Sequence, residues 1–168
     1  MDYALLERQL RALLGDEPDH LANAANFAAF VFHEIPDLNW AGFYYADLSG
    51  DLVLGPFQGR PACARLPRER GVCGAAFTSR SVLVVDDVAA FADHIVCDAN
   101  SRSEIALPLE DAHEAYGVFD LDSPHRTRFA AEDRDGIARL VQVFTSCVEP
   151  PPWIGEKGKP APLTNSLP

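Results

Sequence analysis

The sequence predicts a single α+β domain, a mainly antiparallel sheet flanked by N- and C-terminal helices, and three observations predict it. Apolar residues recur at helical spacing near both ends of the chain, whereas from Asn39 onward they fall in short runs bounded by turn residues. The length of 168 residues leaves room for one ordinary domain. A composition of 48% hydrophobic and 23% charged residues suffices for a packed core.

Leu6, Leu10, Leu13 and Leu14 form the first helical stripe, closed by Gly15-Asp16-Glu17-Pro18. Leu21, Ala24, Ala28, Val31, Phe32 and Ile35 form a second, which Pro36 stops. Segments 39–46, 51–55, 82–86, 103–109 and 115–122 are rich in Val, Ile, Phe, Tyr and Leu and predict strands, with Ser49-Gly50 as a hairpin turn between the first two. A last helix is predicted over 131–148, with Ile137, Leu140, Val141, Phe144 and Val148 on one side and Glu132 and Asp133 in its first turn, where acids suit the helix dipole. The domain is expected to span 1–149. Residues 150–168, rich in Pro, Gly and Lys, predict an extended or mobile tail.

A formal net charge of −11 argues against nucleic acid or an anionic membrane as partner, because both require a basic face. No apolar run approaches the length of a membrane span, and the N-terminus, interrupted by Glu7 and Arg8, does not resemble a signal peptide. The expected compartment is therefore the cytosol, where thiols stay reduced unless they do redox work or bind metal. The four cysteines Cys63, Cys73, Cys97 and Cys147 form no Cys-x-x-Cys pair, and no metal site is expected. Cys147 falls on the apolar stripe of the last helix and is expected to be a small buried hydrophobe.

Strand alternation singles out two segments. In SEIALPL, Ile105, Leu107 and Leu109 point one way and Glu104 and Ala106 the other. In YGVFDLDS, Phe119 and Leu121 oppose Val118, Asp120 and Asp122. Three carboxylates thus share one face of the sheet; the pattern alone slightly favours a face wetted by solvent over a buried site. Cys97 lies seven residues before Glu104 in the polar run DHIVCDANSRSE, a poor place for a merely structural thiol. Cys63 and Cys73 lie ten apart in GPFQGRPACARLPRERGVCG, which reads as a long functional loop. Arg60, Arg65, Arg68, Arg70 and Arg80 nearby would favour thiolates there. Trp40 and Tyr44 share one strand face, as core or as an aromatic wall.

The run NWAGFYYADLSGDLVLGPFQGRPACARLPRERGVCGAAF, then DVAAFADHIVCDANSRSEIALPL and GVFDLDSP, resembles the free methionine-(R)-sulfoxide reductases, which have the GAF fold. The resemblance extends from about Leu5 to Val148, and Asp93 and Val96 depart from it, standing where that family usually has Gly and Ala. It implies Cys97 as nucleophile, Cys63 as resolving thiol and Cys73 as a further member of the disulfide relay. It implies a substrate pocket of Trp40, Tyr44, Glu104, Asp120 and Asp122, electrons from thioredoxin, no organic or metal cofactor, and a homodimer. Clustered carboxylates raise one another's pKa, so one can hold a proton for the departing sulfoxide oxygen while another receives the ammonium of a free amino acid. Glu104 and Asp122 are expected at the sulfoxide end and Asp120 at the amine. Two other readings compete: a non-catalytic GAF module sensing a small molecule, and a thiol peroxidase. The paired cysteines with an acid trio disfavour the first, and the acids after Cys97 disfavour the second.

Overall fold

The computed structural model describes residues 1–112 and 114–151; the tail expected from 150 onward lies outside the described residues beyond Pro151. Two helices, α1 (Tyr3–Leu14) and α2 (His20–Glu34), precede the strands β1 (Trp40–Ala46), β2 (Leu52–Gly59) and β3 (Arg65–Leu66). Helix α3 (Gly71–Ser79) leads into β4 (Leu83–Val85), and β5 (Ser103–Glu110), β6 (Ala115–Ser123) and α4 (Ala131–Cys147) complete the chain. The strands form one antiparallel sheet in the order β3-β2-β1-β6-β5-β4.

The alternation read from the sequence places the residues of each strand on two buried faces. Ala41, Phe43 and Tyr45 of β1, Ile105, Leu107 and Leu109 of β5, and Phe119 and Leu121 of β6 pack with α1, α2 and α4 in the larger core. Its centre is aromatic: Phe27 of α2 lies with its ring centroid 4.7 Å from Phe119 and 4.9 Å from Phe144. Trp40, Tyr44, Ala106 and Val118 face the other way and pack with Val72, Cys73, Ala76 and Phe77 of α3 in a second cluster. The slightly favoured wet face is therefore incorrect. It is covered by α3, whose nine residues GVCGAAFTS are apolar up to Thr78 and Ser79 at its end and carry no amphipathic stripe by which the sequence could announce a helix.

The long loop read into 55–74 is likewise corrected, because β2 continues to Gly59 and β3 and α3 occupy much of the remainder. Gly55-Pro56 looks like a strand stop, yet the β1–β2 register shifts between Gly42 and Tyr44, and a bulge tolerates a proline that cannot donate to the ladder. The hairpin at Ser49-Gly50 forms as expected: the Asp47 carboxylate accepts from the backbone N–H of Ser49 at 2.8 Å, and Gly50 adopts φ +89°. Cys147 is exposed, contrary to expectation. It ends α4 where Arg11 of α1, rather than an apolar side chain, lies opposite, with Nη1 3.9 Å from Sγ.

Candidate active site

Strand register assembles the acidic cluster. Glu104 pairs with Asp122 across β5–β6, and Asp122 pairs with Trp40 across β6–β1. In the next row Asp120 lies between Ala106 and Gly42, and the missing side chain of Gly42 lets Trp40 and Phe57 pack close against the strand. Glu104 and Asp120 are each only 5% exposed, and no arginine or lysine forms an ion pair with the trio among the described residues. Carboxylates so placed cannot all stay ionised. Burial, reinforced by Asp122 opposite, pushes Glu104 up to about 8. Burial, followed by the neighbouring carboxylate, likewise lifts Asp120 and Asp122 well above the ordinary range. At neutral pH Glu104 holds a proton.

The thiols converge on the same place. Cys63, after β2, and Cys97, after the short helical turn Val88–Ala90, are joined by a disulfide with Cα atoms 5.3 Å apart. Tyr44 Oη donates to the Cys63 carbonyl at 3.0 Å, tying that loop to β1. Cys73, in the first turn of α3, is buried with Sγ 3.7 Å from Glu104 Oε1. Its thiol is raised by burial and then by Asp120, so it stays protonated near neutral pH. Trp40 stacks on Phe57 at 5.5 Å and on Tyr44 at 5.8 Å, forming a wall of the cavity. Its Nε1 donor is buried with no hydrogen-bond partner, as is Asp120 Oδ1, although the Asp120 carboxyl also interacts with Glu104 and Cys73.

All the site residues named from the sequence line this cavity except Cys63, whose disulfide partner Cys97 does line it. The sequence reading missed several others. His94 lies three residues before Cys97, with Nε2 3.6 Å from Glu104 Oε2, and burial lowers its pKa. Asn39 Nδ2 donates to Asp98 Oδ2 at 3.1 Å and to Ser101 Oγ at 3.0 Å, holding the Cys97 loop to the start of β1. Backbone donation from Asn100 keeps the Asp98 carboxyl below its usual range. The signal for His94 was its place in HIVCD beside a reactive cysteine. Of the five arginines expected to favour thiolates, Arg70 lines the cavity, whereas Arg65 and Arg80 pair with Asp47 and Glu110. Asp93 adopts φ +58°, the left-handed conformation that glycine accepts most readily and Asp tolerates.

With the disulfide closed, the cavity encloses only about 30 Å³, room for a water or two and not for an amino acid. Titration of the disulfide form with free methionine sulfoxide in a calorimeter should therefore show no binding, and the reduced form should bind. Comparable affinity in both forms would refute this gating by the Cys63–Cys97 bond.

Buried carboxyls and a disulfide meet on one face of a six-stranded antiparallel sheet, and the fold is that of a GAF domain, whose profile matches residues 19–147. The free methionine-R-sulfoxide reductase of Escherichia coli is 47% identical over 139 residues, 83% of this chain and 84% of its own. The free methionine-R-sulfoxide reductase of Neisseria meningitidis, solved in complex with its substrate, is 40% identical with a TM-score of 0.82, covering 86% of this chain and 87% of that one. A candidate GAF sensor protein of Burkholderia vietnamiensis is 52% identical with a TM-score of 0.83, covering 87% and 92%. The chain belongs to the free methionine-R-sulfoxide reductase family of GAF-domain enzymes.

Proposed function

We propose that the protein reduces free L-methionine (R)-sulfoxide to methionine, with Cys97 as nucleophile, Cys63 as resolving thiol and thioredoxin as reductant. The observation that carries this reading is the buried Glu104, its pKa raised by burial, in the same cavity as Cys97, with Cys97 already joined to Cys63. In the reduced enzyme the Cys97 thiolate attacks the sulfoxide sulfur while Glu104, aided by Asp122, gives a proton to the sulfoxide oxygen. In the resulting sulfurane the oxygen passes from the substrate sulfur to the Cys97 sulfur as the substrate S–O bond and the new S–S bond break; methionine leaves as the thioether and Cys97 is left as a sulfenic acid. Attack by the Cys63 thiol then expels that oxygen as water and forms the Cys63–Cys97 disulfide. A thioredoxin dithiol reopens it by exchange, becoming a disulfide itself.

Asp120 receives the substrate ammonium, which favours its ionised form on binding and is a charge that a methionine within a peptide lacks. Trp40 Nε1 supplies the free donor, and Tyr44 extends the wall around the side chain, with Phe57 stacked on Trp40 outside the cavity lining. The residues present supply the acid and the electrons' route, so no metal or organic cofactor enters this scheme. Cys73 is a reserve thiol for the relay. We place the protein in the cytoplasm as a homodimer; among the described residues no helix is long and apolar enough to cross a membrane.

A coupled assay tests the reading: oxidation of NADPH by thioredoxin reductase, with thioredoxin, the protein and either free or peptide-bound methionine sulfoxide. Turnover is expected with the free (R)-epimer alone. Equal turnover of the peptide, or none with either, contradicts it.

A further inference from the structure

Cys73, Glu104 and Asp120 approach from α3, β5 and β6, and one donor atom of each lies within 4.8 Å of the others. The Asp120 carboxylate is 5% exposed and keeps Oδ1 without a hydrogen-bond partner, although buried acceptors are nearly always satisfied. Tetrahedral zinc holds its donors about 2.0–2.3 Å away and hence about 3.3–3.8 Å from one another. Cys73 Sγ stands 3.7 Å from Glu104 Oε1, an edge of that size, and His94 Nε2 stands 3.6 Å from the other Glu104 oxygen. The cavity of about 30 Å³ above the three suits an ion with a water.

We infer that Cys73, Glu104 and Asp120, with a water as the fourth donor, form a binding site for a borderline-soft divalent cation such as zinc or cadmium, which competes with the sulfoxide substrate. A thiolate and two carboxylates match such a cation better than calcium or magnesium, which prefer oxygen alone. Binding displaces the protons of Cys73, Glu104 and Asp120 to solvent, so affinity rises with pH. The bound ion takes the place proposed for the substrate ammonium at Asp120 and removes the proton proposed for the sulfoxide oxygen at Glu104. The binding itself stands apart from the reductase reading, and the competition rests on it.

The test uses the disulfide form of the full chain carrying Cys147→Ser, so that Cys63, Cys97 and the exposed thiol cannot act as ligands. After chelator treatment it is titrated with Zn²⁺ by calorimetry and chelator competition. One equivalent per chain is expected, with proton release and tighter binding at higher pH. Cys73→Ser should weaken it by at least the roughly 10–100-fold that loss of an outer-layer partner costs a metal site. Loading the same protein with Co²⁺ should give a thiolate-to-cobalt charge-transfer band, a readout that depends on no change at Cys73. No binding, affinity unchanged by Cys73→Ser, or a cobalt spectrum without the thiolate band would overturn the site. In the reduced enzyme, added Zn²⁺ should raise KM for the sulfoxide without lowering kcat, and a chelator should reverse the inhibition. Inhibition of kcat alone would overturn the competition while leaving the binding result standing, and absent turnover without zinc would point instead to failure of the reductase reading.

Discussion

Cys97→Ser is expected to abolish methionine formation while leaving the fold intact. Serine keeps nearly the volume of the thiol but does not ionise near neutral pH, and the oxygen of the sulfoxide then has no sulfur to receive it. Cys97 is half-buried in the segment between the Val88–Ala90 turn and β5, at the wall of the cavity rather than in either core centre. Thermal unfolding of the variant should match that of the reduced wild type, which also lacks the Cys63–Cys97 bond. Single-turnover quantification of methionine checks the chemistry, and substantial sulfoxide reduction by the variant would remove Cys97 from its role.

Glu104→Gln is expected to slow the chemical step by on the order of 10²-fold or more, the usual range for loss of a positioned proton donor. The amide mimics the shape of the protonated acid but has no proton to deliver, so Cys97 should still react with an alkylating agent in the reduced protein. The pH dependence gives a second signature. Burial raises Glu104 from 4.5 to about 8, so the native state holds a proton that the unfolded chain has lost above about 4.5. This group's contribution to stability is therefore fully present below pH 4.5 and is lost as pH rises through about 8. Wild-type single-turnover rates should fall above that pH as the acid ionises. Glu104→Gln should lose this limb of the profile, and should unfold no more readily than wild type at pH 8 and above. A variant with an unchanged rate and an unchanged profile would show that the proton comes from elsewhere.

The sequence revealed the acidic cluster because β5 and β6 alternate cleanly. Ile105, Leu107, Phe119 and Leu121 mark the helical side, so Glu104, Asp120 and Asp122 had to share the other. Whether that side was wet or buried was not legible, because the element that covers it, α3, is short, glycine-bearing and apolar up to its last two residues. Cys147 misled for the complementary reason: it fits the helical period, but the period does not report that the facing helix presents Arg11 there. The break at Gly55-Pro56 hid half of β2, since a local turn signal competes with a tertiary register that tolerates a bulge. His94 had only its nearness to Cys97 as a signal, because its contact with Glu104 depends on the path of an irregular segment, which no periodicity encodes.

The central claim is that an oxygen passes from the free sulfoxide to Cys97 and leaves as Cys63 closes the disulfide. Reduced protein, freed of reductant and given a slight excess of free methionine (R)-sulfoxide without thioredoxin, tests it most directly through two quantities: methionine formed per chain and the disulfide found by peptide mapping. About one methionine per chain, the count one disulfide permits, is expected together with a Cys63–Cys97 crosslink. Methionine formed while Cys97 remains a free thiol, or a crosslink joining Cys63 to Cys73 instead, would contradict it.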